Sequence, residues 1–160
     1  MTVTNVVKDL DSATMTIVSE FDAAPERVWQ MWNDPRLLEK WWGPPTYPAT
    51  VVDHDLSPGG VVTYYMTGPE GDQPWGRWDV KTVEKPRLIE IEDSFAEEGG
   101  EAKADMPAGR MRVEIEEVEP GRTRMSIISI HNSAEELQQV LEMGMEEGMK
   151  QSLAQIDPLL

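Results

Sequence analysis

The residues able to do chemistry in this chain are polar ones set on otherwise apolar strands. Four qualify: His54, Tyr64, Asp93 and Ser129. Side chains alternate across a strand, so each of the four shares a face with large apolar neighbours. A polar side chain buried without a partner costs about 1–3 kcal/mol, so these four are expected to bond each other, water or a ligand. The same parity points Met66, Trp78, Phe95, Met111 and Met125 to that side. Apolar walls with a few convergent polar groups describe a small-molecule site, although much of such a set also serves as core. His54 and Tyr64 are expected to orient the ligand, with Asp93 beside them. In an unslipped register His54 shares its face with Val52 and Leu56, whereas a slip of one residue exposes it.

Other chemistries find less support. Two histidines far apart in sequence and no cysteine leave no nitrogen- or sulfur-rich metal set, and neither a metal nor another cofactor is expected. Asp53 and Asp55 fall on one strand face, as a carboxylate pair for acid–base work would, but a solvated sheet face places them the same way. No Gly-x-Ser-x-Gly marks a nucleophilic serine. Gly59-Gly60 leads into a strand, so it lacks the helix N-terminus that phosphate loops use. Histidine changes charge close to neutral pH, so an enzyme with His54 as acid or base is the rival to simple binding.

Two short helices must position these residues, and they carry four of the six tryptophans. In the first, Pro25 suits the opening turn, and Val28, Met31 and Trp32 recur at helical spacing. Asp34-Pro35 starts the second, where Leu37, Leu38, Trp41 and Trp42 form an apolar face that Gly43-Pro44-Pro45 ends. One strand, Thr14 to Phe21, precedes the pair. Six follow, near 47–56, 61–67, 75–83, 87–95, 109–119 and 123–131, in the manner of an antiparallel meander. The acidic stretch between Ala96 and Ala108 has little to bury and is expected to be mobile.

The last element opens on the capping box Ser133-Ala134-Glu135-Glu136 and is expected to run as one helix to about Ile156. Leu137, Val140, Leu141, Met145 and Met149 share one face with Gly144 and Gly148. A glycine inside a helix costs about 1 kcal/mol against alanine, so two of them need a reason. Close packing on the sheet is one. Open volume beneath the helix is the other, which flexible methionines would line well.

At 160 residues the chain suits one domain, 1–160, with its core between about 14 and 157. A net charge of −16 repels phosphate backbones and anionic membrane surfaces, which disfavours nucleic acid as a partner. No apolar run is long enough for membrane insertion, and the N-terminus does not read as a signal peptide; a cytoplasmic monomer or homodimer is expected. Eleven acidic residues against three basic ones between Glu90 and Glu119 form either a solvated face or a dock for a basic partner.

The order strand, helix pair, six strands and terminal helix resembles the START-like, or SRPBCC, superfamily. The motifs are similar to those of the family named after the activator of the heat-shock protein 90 ATPase. They are Phe21-Asp22-Ala23-Ala24-Pro25-Glu26-Arg27-Val28-Trp29, Asp34-Pro35, Leu38-Glu39-Lys40-Trp41-Trp42-Gly43-Pro44, Asp55-Leu56-Ser57-Pro58-Gly59-Gly60, Glu84-Lys85-Pro86-Arg87-Leu88 and Gly121-Arg122-Thr123-Arg124. The resemblance implies an α+β helix-grip, a curved antiparallel sheet around a long C-terminal helix with a pocket between them. Where that family often has an arginine before the Gly-Gly turn this chain has Ser57, and His54 stands at a usually apolar position. Members include carriers of apolar or lipid-like ligands, enzymes and co-chaperone domains, so a chaperone partner stays among the possibilities. The expectation is a small apolar or aromatic ligand bound without catalysis by His54, Tyr64, Met66, Trp78, Asp93, Phe95, Met111, Met125, Ser129, Gly144, Met145, Gly148 and Met149.

Overall fold

A computed structural model describes residues 3–106 and 108–160. Eight strands form one antiparallel sheet: β1 (Val3–Asp9), β2 (Thr14–Phe21), β3 (Ala49–His54), β4 (Val61–Met66), β5 (Trp75–Glu84), β6 (Leu88–Ala96), β7 (Gly109–Glu119) and β8 (Arg122–Ile130). Their spatial order is β1-β2-β8-β7-β6-β5-β4-β3. β3 to β8 are the meander expected from their turns, and β8 pairs with β2. β1 was not foreseen. Its residues alternate poorly and lie largely exposed on the sheet edge, so it lacked the apolar period that marks a strand.

Helices α1 (Pro25–Asn33) and α2 (Pro35–Trp41) follow β2. Asp34 ends α1 and caps α2, its carboxylate accepting from the Arg36 backbone N–H at 2.9 Å. Their buried residues meet the inner sheet face, where Met15, Ile17, Val62, Trp78, Val80, Ile91, Met111, Val113, Met125 and Ile127 complete one core. The outer face carries ion pairs instead: Arg112 with Glu90 and Glu114, and Arg122 and Arg124 with Glu20. The architecture is the helix-grip α+β fold.

The terminal helical segment departs from expectation, because it is not one continuous helix. α3 (Ala134–Glu142) stops at Met143, and α4 (Met145–Leu153) begins after Gly144 at φ +88°. That left-handed conformation suits glycine, and it ends one helix while re-aiming the next. Gly144 is exposed and so leaves the face that a single helix would have given it. The capping box forms as expected, with the Glu136 N–H donating to Ser133 Oγ at 3.2 Å.

The acidic stretch after β6 is anchored over its first half. Ala96 bridges Ala102, the Glu97 N–H donates to the Glu101 carbonyl, and Arg77 Nη1 donates to the Gly100 carbonyl at 3.2 Å.

Candidate functional site

Interior aromatic rings form a continuous cluster. Trp32 contacts Trp41, Trp42 and Trp78 at centroid distances of 4.8, 5.9 and 5.9 Å. Trp42 stands perpendicular to Trp78 at 5.0 Å, and Tyr64 reaches both. Helix α2 supplies Trp41 and its C-cap supplies Trp42, while β4 and β5 supply Tyr64 and Trp78. Edge-to-face packing of this kind adds about 1 kcal/mol per pair to the area buried.

The indole N–H groups divide into two kinds. Trp32 Nε1 donates to the Met125 sulfur at 3.2 Å, and Trp41 Nε1 donates to the Met31 carbonyl at 2.9 Å. Trp42 and Trp78, 7% and 0% exposed, hold buried N–H groups that form no well-aligned hydrogen bond among the described residues. Both lie close enough to the Tyr64 hydroxyl to act on it as hydrogen-bond donors, which favours its ionised form. Burial raises the Tyr64 pKa far above the usual phenol range, and the nearby Asp93 charge adds to that.

Sheet register explains why these groups meet. Val62, Trp78, Asp93 and Gly109 form one cross-strand row, and Tyr64, Gly76 and Phe95 form the next. The Tyr64 ring lies on Gly76, where an added Cβ would stand 2.3 Å from the phenol oxygen. A Cβ at Gly109 would meet the His131 ring, so the imidazole lies over that glycine, the pairing partner of Asp93. Burial pushes the Asp93 carboxyl up to about 7. Burial likewise lowers the pKa of His131, opposed by Glu136.

The expected site residues separate on inspection. Tyr64, Trp78 and Asp93 come together, with Phe95 at the end of their rows, 38% exposed rather than enclosed. Met111 and Met125 are buried inward, and Ser129 pairs with Met15 and Met111 on the same face. Met66 packs partly on the core near Gly43, and Met145 and Met149 pack partly against it from α4. Gly148 lies in that helix, and a Cβ built there meets no atom within 4 Å.

His54 reaches the inner side by another route than expected. A bulge between Val51 and Asp53 puts Val52 outside, 50% exposed, so Val51 rather than Val52 accompanies His54. His54 Nε2 lies 3.0 Å from the Trp32 carbonyl. A carbonyl only accepts, so Nε2 carries the proton, and the imidazole closes a free carbonyl near the end of α1. Asp53 accepts from Thr63 Oγ1 at 2.8 Å and Asp55 accepts from Ser57 Oγ at 2.5 Å, so both exposed carboxylates are engaged by neighbouring hydroxyl side chains.

The groups that sequence reasoning missed are the Trp42 and Trp78 N–H donors and His131. Parity marked the Trp78 ring, but no pattern tells which indole N–H finds an acceptor. Two surface depressions are also present, the second of them beside Phe95. One, of about 330 Å³, is floored by Arg87, Arg112 and Ser126; the other, of about 400 Å³, by Pro74, Trp75 and Phe95. Among the described residues, no cluster of three or more His, Asp or Glu side chains could hold a metal, and no helix is long and apolar enough to cross a membrane.

Solved structures share this fold. Protein Ms6760 from Mycobacterium smegmatis is 48% identical, with 99% of this chain and 96% of that one covered at a TM-score of 0.90. A protein from Arthrobacter aurescens, solved in solution, is 47% identical over 98% of this chain and 90% of its own, at 0.91. Another from Staphylococcus epidermidis is 27% identical over 98% and 93%, at 0.85. Comparison with curated proteins yields no match. The family described as Activator of Hsp90 ATPase homolog 1-like protein matches residues 22–160, from the end of β2 through both terminal helices. With that match spanning nearly the whole fold, the chain belongs to the Activator of Hsp90 ATPase homolog 1-like family, as its motifs led one to expect.

Proposed function

We propose that this protein binds a small apolar or aromatic molecule between its sheet and its terminal helices, without transforming it. The observation that carries the reading is the open space at half-buried Gly148, where an added Cβ would meet no atom within 4 Å. Two residues of the same helix, Met145 and Met149, pack only partly on the core, and methionine adapts to varied apolar shapes. The backbones of α3 and α4 also approach the sheet less closely than those of α1 and α2 do. A helix that stands off in this way leaves its flexible side chains to close the gap or to yield it to a ligand.

Native mass spectrometry of freshly purified protein tests the reading. A small molecule should accompany the folded chain and leave it on denaturation with its mass unaltered. Filling the space by Gly148→Met should abolish that adduct while the circular dichroism spectrum stays unchanged. An adduct that persists in the filled variant would place binding elsewhere. A folded protein that carries no adduct, and takes up no added apolar compound, would end the proposal.

A further inference from the structure

We infer that Asp93 receives the ammonium end of an amine ligand, in a gap over Gly109 with His131 at its side. This inference rests on the proposed binding function and names the ligand's polar end. The inner face of the sheet is sealed at Met15, Ile91 and Met111, which are 1%, 2% and 4% exposed. Towards the end of the same strands it opens. Asp93, Gly109, Ser129 and His131 are all half-buried there, and Phe95 is 38% exposed. The gap shows at Gly109, the cross-strand partner of Asp93, where an added Cβ would come no closer than 3.4 Å to a non-neighbouring atom. Trp78 flanks Asp93 from the opposite strand, so a small group fits beside the carboxyl without entering the tryptophan cluster.

The chemistry at this gap selects a cation. Among the described residues no hydrogen-bond donor and no Lys or Arg serves the Asp93 carboxylate. Burial alone pushes its carboxyl up to about 7, and a bound ammonium supplies the missing countercharge. His131 Nδ1 stands 3.6 Å from the place of the added Cβ, and burial holds the imidazole towards its neutral form. With the proton on Nε2, Nδ1 accepts a second ammonium N–H. The Phe95 ring, two residues along the same strand face, offers an apolar wall that also attracts a cation. An anion meets repulsion from Asp93 and from the net charge of −16. A divalent metal ion needs more oxygen ligands than this spot holds, since among the described residues no three His, Asp or Glu side chains converge.

The probes are phenethylamine, its uncharged near-isostere propylbenzene, in which the ammonium becomes a methyl group, and the anion 3-phenylpropionate. Each is titrated at pH 8 into the intact protein while backbone amide signals are followed by NMR. Phenethylamine should move the Asp93, Gly109 and His131 signals most and bind about tenfold more tightly than propylbenzene, with 3-phenylpropionate the weakest. Asp93→Asn keeps the shape of the side chain and should erase the preference for the amine over the hydrocarbon. A preference that survives this substitution overturns the inference, because attraction to the net negative charge then accounts for it. Equal binding of amine and hydrocarbon by the unaltered protein overturns it too, and leaves the binding function standing. Tightest binding by 3-phenylpropionate overturns it in favour of an anion. Silence from all three overturns it as well, while the native-mass adduct decides the binding function separately.

Discussion

At the scale of single residues, the interior is decided by a few polar atoms rather than by its apolar area. Asp93 is the clearest case. Its carboxyl titrates at about 7 in the folded chain, against about 3.9 when unfolded. Between these values the native state binds more protons than the unfolded one, so Asp93 lowers stability as pH rises from 4 to 7 and by a constant amount above. Asp93→Asn should therefore raise stability at pH 8 by about 2 kcal/mol, water at the half-buried carboxylate reducing the full effect, and leave it unchanged near pH 4. Urea denaturation at the two pH values checks this. Gly76 is a second case, because the Tyr64 ring occupies the place of its missing side chain. Gly76→Ala must push the phenol off its seat between two tryptophans, at a cost of about 2 kcal/mol. Its near-ultraviolet circular dichroism should change with the stability. His54 was the residue expected to do chemistry. Bonded to the Trp32 carbonyl, it now has a structural task in joining β3 to α1.

At the scale of elements, the terminal helices show how one residue type serves two ends. Gly144 and Gly148 are a turn apart and look alike in sequence, yet their backbones differ. Gly144 sits at φ +88°, where an L side chain is strained. Gly148 lies within α4 with room around it. Gly144→Ala should destabilise by about 1 kcal/mol, and Gly148→Ala should stabilise by about 0.5–1 kcal/mol as an ordinary gain in helix propensity. Measured side by side in urea, opposite signs support the broken helix, and equal gains would mean a continuous one. The Lys8–Glu146–Lys150 ion pairs tie α4 to the edge strand β1, but as exposed contacts they contribute only a few tenths of a kcal/mol. Elements with strong local signals were legible in advance. The Asp34 cap, the Ser133 box and the alternation of β7 all follow from contacts a few residues long. The break at Gly144 and the bulge at Val52 were not, because each depends on what lies across from it.

At the scale of the molecule, charge and the burial of one aromatic core dominate. A formal charge of −16 on 160 residues repels itself, and screening should offset this more than it weakens the outer-face ion pairs. The urea midpoint at pH 8 should accordingly rise between 10 mM and 500 mM sodium chloride; a fall would show that the Arg112, Arg122 and Arg124 pairs outweigh the net repulsion. By itself the sequence determined the α+β class, the helix pair, seven of the eight strands and the family, since periodicity, caps and turns are local and are written in neighbouring residues. Which strand face each side chain takes was legible wherever the register ran true, as at Tyr64, Trp78 and Asp93. Only the tertiary structure decided which buried polar atoms find partners. The indoles of Trp32 and Trp41 form well-aligned hydrogen bonds and those of Trp42 and Trp78 do not, and that difference rests on distances and angles between residues tens of positions apart.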